Sequence, residues 1–163
     1  FDTLIPKAAK EAYLSLAKRY EKSFGGDYGH IFRMSAALCK ALAARSDISA
    51  RIRAAYEAKD REGMKKLIPE VEAFGVAVRE FLKEFQNYYL HDNFAFGLEV
   101  YHIRIGGVIE RISYAAERLK KFAETGDKIE ELEGGILPLG YEPMPTISSS
   151  LMVDPRMLVS YCI

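Results

Sequence analysis

Hydrophobic residues recur at helical spacing along most of the first 133 residues of the chain. The longest regular stretch runs from about Glu62 to Leu90, and Pro69 inside it is expected either to kink the helix or to mark its real start. A second long stretch runs from about Leu98 to Thr125 and is followed by Gly126, a residue type that often ends helices. Both patterns predict amphipathic helices.

Three shorter helices are predicted before these two. They run from about Pro6 to Lys22, from about Tyr28 to Arg45 and from about Ile48 to Lys59, and Asp27 is the expected N-cap of the second. The expected inner face of this second helix is Ile31, Met34, Leu38, Ala41 and Leu42. A last short turn of helix is expected between Asp127 and Glu133. The chain is therefore predicted to be all-α, a bundle of about five helices.

The composition of the chain changes after residue 133. Four of the six prolines lie in residues 134–163, which predicts a mostly irregular segment. The same segment carries apolar residues such as Leu137 and Tyr141, so we expect it to lie against the helices rather than to form a free tail. We therefore predict one domain, with a helical bundle at 1–133 and a proline-rich C-terminal extension at 134–163 packed on it.

The charge balance argues against two classes of partner. The 163 residues include 23 Lys and Arg and 23 Asp and Glu, which gives a formal net charge of zero. A broad nucleic-acid-binding or anionic-membrane surface needs an excess of basic residues, so neither partner is expected. No apolar run approaches the roughly 18 residues that a membrane-spanning helix needs.

The cysteines and the first residue say little about the compartment. Cys39 and Cys162 form no metal-binding spacing, and we expect two reduced, buried thiols, with a disulfide between them left open. The chain begins with Phe1 rather than methionine, so the true N-terminus is expected to be missing. The localisation is therefore unknown, with a slight preference for the cytoplasm.

The fifth predicted helix has two apolar faces in its first half. At about 100° per residue, Ile109 and Ile112 lie on one face and a second apolar set lies on the opposite face. Glycine costs a helix interior roughly 1 kcal/mol relative to alanine, so the adjacent Gly106 and Gly107 suggest that something approaches the backbone closely. The predicted interface residues are Val100, Ile103, Gly106, Gly107 and Tyr114.

Two kinds of partner for this second face remain open. Either a neighbouring helix or the C-terminal extension packs there, or another domain docks there. Arg104 lies at the border of the first face, where an arginine usually pairs with a carboxylate. Glu99 is the nearest candidate in sequence.

The sequence contains none of the common catalytic motifs that we sought, which were GxSxG, HExxH, the P-loop and GxGxxG. The run His91-Asp92-Asn93 is the one polar cluster that resembles a set of metal ligands, and its place at the end of the fourth predicted helix favours a capping role. No catalytic residue, no cofactor-binding residue and no metal ligand is therefore predicted.

One part of the chain resembles a known family. The run DNFAFGLEV at residues 92–100 and the run IRIGG at residues 103–107 are similar to a stretch near the C-terminus of bacterial β-N-acetylhexosaminidases of the glycoside hydrolase family 20 type. In that family an asparagine-aromatic-Gly-x-Glu run leads into an Arg-x-Gly-Gly helix, in a helical region that follows the catalytic barrel. His102 departs from the family pattern, which has an acidic residue two positions before Arg104.

The resemblance implies what the parent protein does. Members of the family remove terminal N-acetylhexosamines with retention, and the substrate's own acetamido oxygen attacks the anomeric carbon beside an adjacent Asp-Glu pair. This chain has no Asp-Glu dipeptide and no alternating strand and helix pattern of a (β/α)8 barrel. No catalytic residue of the family can be placed in it, and the chain alone is not expected to be an enzyme.

Three hypotheses follow. The first is a non-catalytic C-terminal helical domain, without a cofactor, that braces the catalytic domain of the same parent chain or mediates contacts in a homodimer. The alternative is a free-standing helical protein-protein interaction module, which the balanced charge and the amphipathic helices fit equally well. The third is a small helical enzyme that uses the region around His91 and Asp92.

Overall fold

The computed structural model describes residues 9–133, and these residues form helices and no strand. Five main helices confirm the predicted all-α fold. The predicted helix start at Pro6 and the extension at 134–163 lie outside the described residues. In chain order the helices are α1 (Ala9–Glu21), α2 (Gly29–Arg45), α3 (Ile48–Glu57), α4 (Arg61–Asp92), α5 (Leu98–Thr125) and the single turn α6 (Glu130–Glu133).

The four longest helices stand side by side in an open row. α1 packs on α2, α2 packs on α4, and α4 packs on α5, while α3 lies mainly against α4. The two ends of the row are α1 and α5, and each of them packs extensively against one helix only. An open row of this kind leaves the outer side of α5 without a helical neighbour in the described part of the chain.

The contact between α4 and α5 forms the main hydrophobic core. Met64 of α4 has no exposed surface, and Phe122 of α5 is buried on the same core. A Cβ atom at Gly75 would lie 3.2 Å from Ile112 Cγ2, so the glycine allows α4 and α5 to pack closely at this level. The predicted inner face of α5 is confirmed, because its buried residues include Ile109, Ile112, Ala116, Leu119 and Ala123.

The start of α4 depends on a side-chain cap. The Asp60 carboxylate accepts a hydrogen bond of 2.8 Å from the backbone N–H of Gly63, which satisfies one of the free donors of the first turn. Pro69 lies inside the helix at an exposed position, so it does not mark the helix start. The missing N–H of a proline is best tolerated on the solvent side, because water can reach the carbonyl that it leaves free.

Two details of α2 differ from the sequence-based prediction. Tyr28 and not Asp27 occupies the N-cap, and its side chain makes no capping hydrogen bond. Leu38, which was expected on the inner face, is 37% exposed. The close contacts with α1 and α4 leave little room for large side chains, so the buried face is made of small residues. These are Ala36, Ala37, Cys39, Ala41 and Ala43.

Polar contacts hold the ends of the core helices together. Arg61 at the start of α4 donates a hydrogen bond of 2.9 Å from Nε to the Ala123 carbonyl oxygen and another from its guanidinium to the Glu124 carbonyl oxygen. These carbonyl groups belong to the last turn of α5 and have no partner within that helix. The Tyr56 hydroxyl of α3 donates to a Glu133 carboxylate oxygen and accepts a hydrogen bond of 3.1 Å from the Ile129 N–H.

Cys39 is buried as expected, and burial raises the pKa of its thiol. The second cysteine, Cys162, lies outside the described residues, so the question of a disulfide between the two stays open. Among the described helices, none combines the length and the apolar character that crossing a membrane requires.

We predict that Gly75→Leu lowers the free energy of unfolding by about 1–3 kcal/mol, because the new side chain has to displace Ile112. This loss is expected although leucine favours a helix over glycine by nearly 1 kcal/mol. Chemical denaturation followed by circular dichroism measures the change. Ala73→Leu, at an exposed position of α4, is the control and should change the stability by less than about 0.5 kcal/mol. Unchanged stability of the Gly75 variant would contradict the close packing of α4 and α5.

We also predict that Arg61→Ala lowers the free energy of unfolding by about 1–2 kcal/mol, because two carbonyl groups at the end of α5 lose their donor. Thermal and chemical denaturation measure this effect. Lys66→Ala, an exposed change on the same helix, should stay within about 0.5 kcal/mol of the parent. Equal effects of the two substitutions would rule out a special role for the Arg61 contact.

Candidate interaction surface

The loop between α4 and α5 has a well-defined backbone conformation. The Tyr89 hydroxyl donates a hydrogen bond of 2.8 Å to the Phe96 carbonyl oxygen, and the Asn93 side-chain amide donates one of 3.1 Å to the Tyr89 carbonyl oxygen. Gly97 adopts φ 93°, a left-handed conformation that favours glycine. The Glu99 carboxylate accepts a hydrogen bond of 2.9 Å from the Gly97 N–H. These bonds hold both ends of the loop.

The side chains of this loop point into solvent. Phe94 is 92% exposed and Phe96 is 90% exposed. The aromatic residues of α4 and α5 beneath the loop pack on one another, as shown by the 4.7 Å between the ring centroids of Phe85 and Tyr101. The loop therefore presents two phenyl rings to the outside although an aromatic cluster lies close by. Burying a phenylalanine side chain stabilises a protein by about 1.5–3 kcal/mol, so this exposure is costly unless a partner covers it.

The exposed apolar region continues onto the outer side of α5. Ile103 is 74% exposed, Tyr114 is 52% exposed and Val100 is 43% exposed. Together with Gly107 these residues repeat at helical spacing, so they share one stripe on the side of α5 that faces away from the core. We call the whole region the loop–α5 surface, and it consists of Phe94, Phe96, Val100, Ile103, Gly107 and Tyr114.

The predicted interface residues therefore lie on a common helix, and most of them are open to solvent. Gly106 is half-buried and lies beside the stripe rather than on it. Apart from its own turns of α5, a Cβ atom at Gly106 or Gly107 would meet no described atom within 4 Å. No described helix makes the close approach expected at Gly107, and the interface role of these residues stays a prediction. Phe94 and Phe96 were missed as interface candidates, because an aromatic residue is by default assigned to a core.

Charged residues border the loop–α5 surface. Arg104 and Glu110 are exposed on α5 close to the stripe. The expected Arg104–Glu99 pair is absent, because Glu99 turns back to the Gly97 N–H, and within the described range no other carboxylate lies within ion-pair distance of Arg104. An apolar stripe with a charged border is typical of a protein-protein interface.

A second polar cluster lies where α4 ends. Asn93 is the C-cap residue of α4, which agrees with the predicted capping role of this segment. His91 and Asp92, however, turn toward α2, where Asp92 Oδ2 lies 3.1 Å from His30 Nε2. Asp92 Oδ1 lies 2.7 Å from His91 Nδ1. The hydrogen bonds from His91 and His30 lower the pKa of the Asp92 carboxyl, although its partial desolvation acts in the opposite direction.

These features define an all-α domain in which one end helix and the loop before it present an apolar surface with a charged border. Residues 1–152 match the model of the family described as the Glycoside Hydrolase 20C C-terminal domain. The match covers nearly all of the 163 residues, and the chain belongs to this family. A comparison with curated proteins gave no match. The predicted relation to the C-terminal region of family 20 glycoside hydrolases is confirmed.

We predict that Tyr89→Phe loosens the loop while the fold is retained, because the Phe96 carbonyl oxygen loses its only side-chain donor among the described residues. Limited digestion with chymotrypsin, which cleaves after aromatic residues, should cut at Phe94 or Phe96 faster than in the parent protein. Tyr114→Phe is the control, since the structure gives its hydroxyl no hydrogen bond within the described range. Equal cleavage rates of the two variants would show that the Tyr89 hydrogen bond does not restrain the loop.

Proposed function

We propose that this chain is the non-catalytic C-terminal helical domain of a β-N-acetylhexosaminidase and that it braces the catalytic domain of the same parent chain. The family match supports the glycoside hydrolase part of this proposal. The observation that supports the bracing role is the loop–α5 surface, in which Phe94 is 92% exposed and Phe96 is 90% exposed.

The chemistry of this surface favours another domain as its partner. Soluble monomers rarely expose large contiguous apolar patches, and such patches usually mark sites of association. Complete burial of Phe94, Phe96 and Ile103 would contribute about 1.5–3 kcal/mol for each side chain. The charges of Arg104 and Glu110 at the border would then orient the partner rather than provide most of the affinity.

Glycine on the stripe fits a partner that packs closely. Gly107 lies between Ile103 and Tyr114 on the outer side of α5, and no described atom would contact a Cβ at this position. A helix or loop of the catalytic domain packed across Gly107 could approach the backbone of α5, as small residues permit at helix crossings. The helix-propensity cost of this glycine, roughly 1 kcal/mol, would then have a structural reason.

The proposal also assigns the hydrolysis reaction to the catalytic domain of the parent chain. The catalytic domain would remove terminal N-acetylhexosamines by substrate-assisted, retaining hydrolysis, with an adjacent Asp-Glu pair supplied from outside this chain. The helical domain would contribute rigidity. The absence of an Asp-Glu dipeptide from the 163 residues is in keeping with this division of roles.

Binding between separately purified parts tests the proposal. The coding sequence that precedes the Phe1 codon should encode a catalytic barrel with an adjacent Asp-Glu pair. That barrel, purified and titrated with this chain, should bind it in a one-to-one complex. The barrel alone or in the complex should hydrolyse a chromogenic N-acetyl-β-glucosaminide, and this chain alone should not. A start codon immediately before Phe1 would overturn the proposal in favour of a free-standing interaction module, and hydrolysis by the chain alone would overturn its non-catalytic role.

Substitutions on the loop–α5 surface identify the docking site. We predict that Ile103→Glu and Gly107→Leu each weaken binding to the catalytic domain at least about tenfold, which corresponds to roughly 1.4 kcal/mol. The first introduces a charge into the apolar stripe, and the second blocks a close approach. Lys18→Glu, an exposed charge change on α1, should leave binding unchanged.

The thermal stability of the same variants distinguishes two candidate occupants of the loop–α5 surface, which are the catalytic domain and the segment 134–163. If the catalytic domain covers the surface, the melting temperature of the isolated chain should not fall for Gly107→Leu, because a Cβ atom there meets no described atom outside its own turns of α5. A clear fall in the melting temperature of the isolated chain would instead show that the segment 134–163 packs on Gly107. That result would remove the loop–α5 surface as the docking site.

A further inference from the structure

The cluster at the end of α4 brings together residues that are far apart in sequence. His30 is the second residue of α2, whereas His91 and Asp92 are the last two residues of α4. The packing of α2 on α4 places one ligand atom from each of these residues within 4.8 Å of the others. Two imidazole nitrogens and a carboxylate oxygen therefore lie in one small region of the domain.

We infer that His30, His91 and Asp92 form a binding site for a divalent transition-metal cation of the Zn²⁺ type. The inference rests on this geometry and does not depend on the proposed function or on the loop–α5 surface. Imidazole nitrogen and carboxylate oxygen together suit Zn²⁺ and the neighbouring first-row cations better than they suit Mg²⁺ or Ca²⁺, which prefer ligand sets made of oxygen alone.

The carboxylate oxygens of Asp92 lie slightly closer to the imidazole nitrogens than neighbouring ligand atoms lie around a bound metal. Bonds of about 2.0–2.1 Å in a tetrahedral site place neighbouring ligand atoms about 3.3 Å apart. In the structure Asp92 Oδ2 lies 3.1 Å from His30 Nε2, and Asp92 Oδ1 lies 2.7 Å from His91 Nδ1. Both contacts are hydrogen bonds that imidazole N–H groups donate to the carboxylate, so the proton has to leave each of these nitrogens before the nitrogen can bind a cation. A metal at this point would leave at least one coordination position for water.

One side chain has to turn before the cation can bind. The imidazole rings of His30 and His91 are stacked, with their centroids 3.8 Å apart and their planes 17° apart. Stacked rings aim their in-plane lone pairs along nearly parallel lines, so both cannot point at one ion. The side chain of His91 is 57% exposed and has room to rotate, whereas the side chain of His30 is only 14% exposed. His30 also stacks on Tyr88, which holds it as the fixed member of the set.

The charges near the cluster neither favour nor prevent cation binding strongly. The C-terminal end of α4 carries a partial negative charge that attracts a cation, and the N-terminal end of α2 carries a partial positive charge that opposes it. The negative charge of Asp92 is therefore the main electrostatic attraction.

Calorimetric titration with Zn²⁺ tests this inference on the complete 163-residue chain, purified without a histidine tag. We predict that one Zn²⁺ binds per chain and that His30→Gln, His91→Gln and Asp92→Asn each weaken binding at least about tenfold. His102→Gln is the matched control. His102 is the third histidine of the chain, is also exposed, and lies on α5 with a hydrogen bond of 2.6 Å to Gln86. This substitution should leave Zn²⁺ binding unchanged.

A spectroscopic measurement distinguishes coordination by three protein ligands from adsorption to single histidines. Co²⁺ bound by three protein ligands in a four-coordinate site should give intense visible absorption bands, which His30→Gln should abolish. Circular dichroism of each variant shows that the helices are retained. The inference is overturned if the parent chain binds no Zn²⁺, if His102→Gln weakens binding as much as His30→Gln, or if Co²⁺ gives only the weak bands of a hydrated ion.

Discussion

The antiparallel contact between α4 and α5 is the interaction on which the rest of the domain depends. It contains the fully buried Met64 and most of the large apolar side chains of the core, and Gly75 allows the two helices to pack closely. Arg61 joins the start of α4 to the end of α5. The other helices attach to this pair mainly through α4, because α2 and α3 both pack on it and the described part of α1 packs mainly on α2. Weakening the α4–α5 contact would therefore affect every other helix.

The same arrangement explains why the outer side of α5 has no helical neighbour in the described part of the chain. A helix at the end of an open row buries one face on its neighbour and leaves the opposite face to solvent, and a polar face is then expected. The first half of α5 departs from this expectation, since Val100 and Ile103 are exposed there. The second half follows it, with exposed charges such as Glu117 and Lys121. The exposed apolar residues of α5 thus extend from the aromatic loop as far as Tyr114, which indicates a surface of limited extent rather than a general excess of hydrophobic residues.

The sequence was sufficient to predict the helices but not to predict the contacts between residues that are far apart in the chain. The bounds of α5 were predicted as observed, because a strong helical period ends at Gly126, whose φ of 78° few other residues adopt easily. The inner face of α2 was partly mispredicted. Close helix packing buries its alanine and cysteine side chains and leaves Leu38 partly exposed. An apolar face can be recognised from its period, but the period does not identify what covers it. His30 is 62 residues from Asp92, and no local pattern connects them.

Both proposals concern the two sides of one structural feature, the C-terminal end of α4. The hydrogen bonds of Tyr89 and Asn93 hold the aromatic loop to the last turns of this helix. The contacts of Asp92 with His30 hold the same turns to α2. A cation bound there would strengthen the link to α2 and would restrain the segment from which the loop begins, without touching Phe94 or Phe96. The two sites can nevertheless be separated, because Ile103 and Gly107 lie on α5 while His30 lies on α2. A variant that loses the ion and keeps docking would show that the hydrogen bonds alone position the loop.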